Sequence, residues 1–278
     1  MNSAATLGRI LNAASYVSPR LAGRYAFPLF IRTGPRTPVR PAEQPVHEQA
    51  AVDHLTVDGK KLAVYRWGQG GRRVLLMHGF GGRASNMAAF AVGLQGFGME
   101  AVAFDNFGHG DSTGDRATIV DVAAAVRVVA DKYGPFYAII AHSFGGLCAY
   151  HAVRGGVSVE RMVTVGAVGE FDYLPEWFSG QLGLRPAITQ ELRRRSEDYF
   201  RHETDIWQRF SATYHADDWT VPLLVIHDEN DKEINVAQGR KIAAAYRQAE
   251  YVETKGLGHR RILGDQGVVS AALEFVAK

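Results

Sequence analysis

From about residue 51 onward, short apolar runs alternate with longer stretches whose apolar positions recur at helical spacing. Asp53–Val57 and Lys61–Trp67 flank Asp58-Gly59, a two-residue pair that favours a tight hairpin. Compact apolar runs follow at Arg73–His78, Glu100–Asp105, Phe136–Ala141, Arg161–Ala167, Pro222–His227 and Glu250–Thr254. Between them, Asn86–Leu94, Thr118–Tyr133, Phe144–Arg154, Val236–Tyr246 and Gly267–Ala277 read as helices. Thr118–Tyr133 is the clearest, with Val122, Val126 and Val129 on one face. Strands that alternate with helices after an opening hairpin predict an α/β fold, a mostly parallel sheet covered on both faces. No internal repeat is present.

Two regions depart from the alternation. Residues 170–220 hold no strand-like run but contain ten aromatics, including Trp177, Trp207 and Trp219. This segment reads as a helical insertion, a cap over the sheet, dividing a core of residues 51–169 and 221–278. Residues 1–50 read as an N-terminal extension. Its first half has the pattern of an amphipathic helix. Its second half, with Pro28, Pro35, Pro38, Pro41 and Pro45, is expected to be extended.

Composition narrows the class. A chain of 278 residues with 46% hydrophobic and 22% charged positions can bury a large core without disulfides or metals. The single cysteine, Cys148, cannot form an internal disulfide and reads as a packing residue; its solitude points to the cytoplasm. The net charge of +2 is uneven, because residues 1–42 hold six arginines and no acid, leaving the remainder net acidic. An acidic body argues against nucleic acid as the main partner. The basic arm fits an organelle-targeting segment, a membrane-surface contact, or an extension packed on the body or on a second subunit. Arg9 interrupts the only candidate secretory stretch. The longest uncharged run, Tyr133 to Val153, includes Pro135, His142, Ser143 and paired glycines, and reads as strand, turn and helix.

The turn in that run carries the chemistry. In Ala141-His142-Ser143-Phe144-Gly145-Gly146 a serine sits between an apolar strand and a helix. A serine hydroxyl needs a base and an exposed oxygen to act as a nucleophile. A sharp strand-to-helix turn exposes it, provided that small residues lie two positions to either side, here Ala141 and Gly145. Glycine is usual at the first of these, so Ala141 is a departure. An earlier strand ends in His78-Gly79-Phe80-Gly81-Gly82. Its Phe80 N–H, with that of Phe144, is the candidate pair of donors for a developing oxyanion. No Lys-Ser/Thr follows, which disfavours a phosphate cradle. Of ten histidines, His259 in Gly256-Leu257-Gly258-His259 lies after the last strand and is the candidate base. His78 and His109 occupy glycine-rich turns as pocket-shaping residues, and His142 adjoins the serine but points away from the elbow. The orienting acid lies in His227-Asp228-Glu229-Asn230-Asp231, where Asp231 leads and Asp228 and Glu229 remain alternatives.

Together these residues resemble the α/β-hydrolase superfamily over roughly residues 53–278. Asp105-Asn106-Phe107-Gly108-His109-Gly110-Asp111-Ser112 adds a turn similar to the family's Asp-x-x-Gly-x-Gly-x-Ser, read here as structural support. The resemblance implies a two-step acyl transfer by Ser143, His259 and Asp231, without metal or organic cofactor. The implied substrate is a small-molecule carboxylic ester with an apolar acyl part, since the insertion is rich in aromatics. An acyltransferase or a peptidase would use the same residues. A haloalkane dehalogenase would carry Asp at position 143, and an idle ligand-binding relative would lack a triad member. Arg193-Arg194-Arg195 reads as a solvated helix face.

Overall fold

A computed structural model describes residues 3–278. The chain opens with helices α1 (Ser3–Val17), α2 (Pro19–Phe30) and α3 (Gln44–Glu48). The hairpin β1 (Ala51–Val57) and β2 (Lys60–Trp67) follows, then β3 (Arg73–Met77), α4 (Ala88–Gly96), β4 (Glu100–Phe104), α5 (Ile119–Tyr133), β5 (Ala138–His142), α6 (Phe144–Arg154) and β6 (Arg161–Val165). Helices α7 (Tyr173–Leu182), α8 (Pro186–Tyr199) and α9 (Ile206–Arg209) interrupt the alternation. It resumes with β7 (Leu223–Asp228), α10 (Val236–Ala245), β8 (Ala249–Thr254), α11 (Gly258–Arg261) and α12 (Gln266–Ala277).

The chain divides into two compact units. One holds Thr33–Gly169 with Ala212–Lys278. Its eight strands form one sheet in the order β1-β2-β4-β3-β5-β6-β7-β8. β2 runs antiparallel to β1 and β4, and every other pairing is parallel. Asp58 and Gly59, both at positive φ, close the hairpin that their sequence predicts. β4, β5 and β7 are buried at every position, because helices cover both faces of a parallel sheet. The edge strands β1 and β8 keep partly exposed positions instead. α5 starts in a capping box: the Thr118 hydroxyl accepts from the Asp121 N–H, and the Asp121 carboxylate accepts from the Thr118 N–H. Cys148 is buried in α6.

The sheet order places the site. From β3 the chain moves to β4 on one side, while β5 lies on the other. The carboxyl ends of β3 and β5 therefore flank a topological switch point, where open α/β sheets leave a crevice. His78-Gly79-Phe80 and Ser143 follow those two ends.

The second unit joins Glu170–Ser211 to the chain up to Arg32. α1, α2 and α8 share a small core of Leu11, Ala22, Ala26, Ile188 and Leu192. Close approach is built in: a Cβ at Gly8 would stand 1.9 Å from the Leu182 carbonyl oxygen, and one at Gly23 would stand 2.4 Å from Glu191 Cβ. Phe171, Phe200 and Phe210 pack edge to face, with Tyr199 and Trp207 beside them. These rings are occupied by one another as the core of the insertion. Trp219 instead belongs to the sheet unit, against Tyr150 and Tyr246.

Two prolines differ from the extended reading. Pro28 lies inside α2, within its last turn, so the missing N–H interrupts the ladder only near its end; the Ile31 N–H still reaches the Phe27 carbonyl. Pro45 sits in the first turn of α3, where a helix leaves its N–H groups unpaired in any case. Residues 33–40 carry no helix or strand, as their prolines predict. Among the described residues no helix is long and apolar enough to cross a membrane.

Candidate active site

Ser143 follows β5 at φ 54° and ψ −124°, a conformation that costs a non-glycine residue about 1–3 kcal/mol. The surrounding packing imposes it. Its N–H bonds the Val165 carbonyl at 3.0 Å, and α6 begins at the next residue. A Cβ at Gly145 would stand 2.5 Å from the His78 carbonyl oxygen, so this side of the elbow has no room for a side chain. Ala141, the departure from glycine, is fully buried and keeps its place in the ladder, opposite Met77 and Thr164.

The loop after β3 comes up against the same serine. A Cβ on Gly79 would lie 2.8 Å from Ser143 Cβ and 3.3 Å from its Oγ. Residues 79–82 form a tight turn, with the Gly82 N–H on the Gly79 carbonyl at 3.1 Å and Gly81 at φ 72°. His109 fixes this turn: its Nε2 accepts from the Gly81 N–H at 2.9 Å, and its Nδ1 donates to the Phe107 carbonyl at 2.9 Å. His78 does the same one layer below, with Nε2 accepting from the Asn106 N–H at 3.0 Å and Nδ1 donating to the Gly79 carbonyl at 2.8 Å. The Phe80 and Phe144 N–H groups have no hydrogen-bond partner among the described residues. Their rings meet edge to face with centroids 5.9 Å apart.

His259 lies in the one-turn helix α11 rather than in an open loop. Its Nε2 is 2.9 Å from Ser143 Oγ, and its Nδ1 is 2.6 Å from Asp231 Oδ2. The three candidate residues thus meet in one hydrogen-bonded line. The other Asp231 oxygen accepts from the Glu233 and Ile234 N–H groups, both at 2.8 Å. Burial alone would raise the Asp231 pKa. Hydrogen bonds from His227, His259 and the Ile234 amide outweigh it and hold this carboxylate well below its ordinary range.

The competing acids are engaged elsewhere. Asp228 accepts from the Asn230, Leu257 and Gly258 N–H groups and from the Thr254 hydroxyl, and so braces the segment that carries His259. Glu229 pairs with Lys255 at 2.8 Å. His142 also turns away from the serine, as expected; its Nε2 donates to the His259 carbonyl at 2.9 Å. His227 carries a role that its sequence did not reveal. It is fully buried, donates from Nε2 to the Ile234 carbonyl at 2.9 Å, and stands 3.5 Å from Asp231 Oδ2. The one available signal was its place at the strand end, four residues before the acid.

The Asp105 turn is structural, as read. Its buried carboxylate accepts from the Ala84 and Asp111 N–H groups and from the Tyr65 hydroxyl, with Arg83 at 3.6 Å. Gly110 is required there, because a Cβ would fall 1.9 Å from Asp105 Oδ2. The cleft beside Ser143 is lined by polar as well as apolar groups, among them Asn86, Glu233, Arg260, Phe80 and Leu263.

Three histidines around the site are buried and disfavour a charge. Burial lowers the pKa of His109 to about 4, and it lowers those of His78 and His142 as well. In the unfolded chain each would take a proton near pH 6.5, so below that value the unfolded state binds more protons than the folded one. Their contribution to stability is therefore complete above about pH 6.5 and is lost as pH falls toward 4. Thermal melts across this window should show a falling Tm. A Tm constant from pH 6.5 to 4 would contradict neutral burial.

The profile of the Alpha/beta hydrolase family matches residues 74–272, and the chain belongs to that family. No curated protein matches it in sequence. Among solved structures it is similar to Est1E of Butyrivibrio proteoclasticus bound to ferulic acid, at 20% identity and a TM-score of 0.64, over 81% of this chain and 100% of that one. An esterase of Pyrococcus furiosus gives 18% identity and a TM-score of 0.64, over 88% and 97% of the two chains. An esterase from Rhodococcus gives 16% identity and a TM-score of 0.61, over 83% and 99%. Likeness at this level of identity shows the fold.

Proposed function

We propose that the protein is a serine hydrolase that cleaves a carboxylic ester through an acyl-enzyme on Ser143. The observation that carries this reading is the line from Asp231 Oδ2 through His259 to Ser143 Oγ, with steps of 2.6 and 2.9 Å, ending on a serine held at positive φ. In the proposed reaction His259 Nε2 takes the Ser143 proton as Oγ attacks the carbonyl carbon. The imidazolium so formed is stabilised by Asp231, which stays ionised. The tetrahedral oxyanion accepts from the Phe80 and Phe144 N–H groups, which have no other partner and need no rearrangement to receive it. His259 then returns the proton to the departing alcohol. Water, deprotonated by the same nitrogen, releases the acid and restores Ser143. The esterases among the solved structures of similar fold support an ester over an amide.

Hydrolysis of p-nitrophenyl esters of graded acyl length tests the proposal. The expected result is turnover with an initial burst of nitrophenolate, and the length profile sizes the acyl pocket. Absence of turnover at every length would count against ester hydrolysis.

A further inference from the structure

We infer that α1 and α2 form a docking face for a bilayer surface rich in anionic lipid. This inference concerns the helical unit alone and does not depend on the proposed hydrolysis. The two helices are amphipathic in an unusual sense. Their inner sides are fitted to α7 and α8 by Gly8, Leu11, Ala22, Gly23 and Ala26. Asn12 fixes the orientation of α1: its side chain donates to the Gly183 carbonyl at 2.8 Å and accepts from the Arg185 N–H at 2.9 Å.

With the inner faces committed, the opposite faces carry large apolar side chains that nothing in the unit covers. Val17 is 87% exposed, Tyr16 76%, Tyr25 63% and Ile10 62%, and Leu21 is exposed as well. Tyr16 is partly engaged, since the Arg185 guanidinium lies over its ring, but most of its surface stays open. Among the described residues, five of the ten exposed large hydrophobic side chains thus fall within the short stretch from Ile10 to Tyr25. Arg9, Arg20 and Arg24 are interleaved with them and are also exposed. No Asp or Glu occurs anywhere in residues 1–42.

This combination selects the occupant. Arginines without acids attract an anionic surface, and apolar and aromatic side chains at the same level enter the boundary between headgroups and acyl chains. A second copy of the same face would set arginine against arginine with no acid to relieve the repulsion. A purely acidic protein partner would leave the valine, isoleucine and leucine unused.

Sedimentation of the full-length protein with vesicles is the test. It should pellet with vesicles of phosphatidylcholine mixed with phosphatidylglycerol, remain in the supernatant with phosphatidylcholine alone, and release at high salt. The double variant Arg20→Glu with Arg24→Glu should lower partitioning roughly 25-fold or more, at about fivefold per arginine near an anionic surface. Val17→Ser with Tyr25→Ser should weaken binding through the apolar contribution, with no change of charge. All four positions are exposed, and an unchanged thermal melt verifies that each variant is folded. The inference is overturned if the protein ignores both vesicle types, binds neutral vesicles equally well, or binds undiminished in both variants. It is also overturned if the same substitutions dissolve a dimer in vesicle-free buffer, which would make the face a contact between copies.

Discussion

Asp231→Asn is expected to lower kcat on a p-nitrophenyl ester by about four orders of magnitude with little change in KM. The reason lies in the tautomer. In the proposed reaction the ionised carboxylate accepts a hydrogen bond from His259 Nδ1–H across 2.6 Å, which leaves Nε2 free to receive the proton of Ser143. An amide nitrogen facing Nδ1 would instead donate, placing the imidazole proton on Nε2, where it blocks proton abstraction. The neighbouring acid supplies the contrast. Asp228→Asn removes a charge that holds three backbone N–H groups and the Thr254 hydroxyl, each charge-assisted bond being worth about 1.5–3 kcal/mol. Its principal effect should be a Tm lowered by several degrees, with kcat kept within about tenfold. Steady-state kinetics and thermal melts on both variants separate the two roles. Activity retained in Asp231→Asn, or lost to the same depth in Asp228→Asn, would show that the acid has been misassigned.

That pair of residues also shows what the sequence could and could not disclose. Three carboxylates lie within the four positions from Asp228 to Asp231 at the end of β7, and local spacing ranks Asp231 first without excluding the other two. Their fates are decided by the segment carrying His259, about thirty residues later, whose N–H groups claim Asp228 and whose imidazole meets Asp231. The strands were far more legible. A buried parallel strand reads as a largely apolar run, and β3 through β7 each hold one, with polar residues confined mostly to their ends. The elbow was legible for a related reason: the small residues at 141 and 145 satisfy a steric requirement that acts locally.

Where partners are remote, local reading ran out. His109 was assigned to shaping the pocket, but its specific duty, holding the Gly81 N–H across 28 positions of sequence, belongs to the folded chain. His227 had no assignment at all, and only the buried geometry around Asp231 reveals it. The N-terminal arm was read by its arginines and prolines. Its grouping with Glu170–Ser211 depends on Gly8 and Gly23, whose spacing signals nothing until α7 and α8 are packed against them. The abundance of aromatics in the insertion suggests an apolar acyl part in the substrate but does not say which rings pack on one another. Phe171, Phe200 and Phe210 pack edge to face on one another.

Ser143→Ala is expected to have the largest effect of all. In the proposed reaction the nucleophile, the base and the acid act as a unit, so removing the attacking oxygen should forfeit nearly the whole contribution, roughly six orders of magnitude in kcat for systems of this kind. The Phe80 and Phe144 N–H groups proposed to receive the oxyanion are backbone groups and remain in the variant, so ester binding should persist. Alanine also fits the site sterically, because the Ser143 Cβ already occupies its place beside Gly79. The fold is therefore expected to survive, and a melt equal to that of the wild type verifies it. The decisive measurement is p-nitrophenyl ester turnover by folded Ser143→Ala beside wild type at equal concentration. Robust turnover by wild type is expected, with that of the variant lowered by about six orders of magnitude. Turnover that survives the substitution would mean that Ser143 is not the nucleophile.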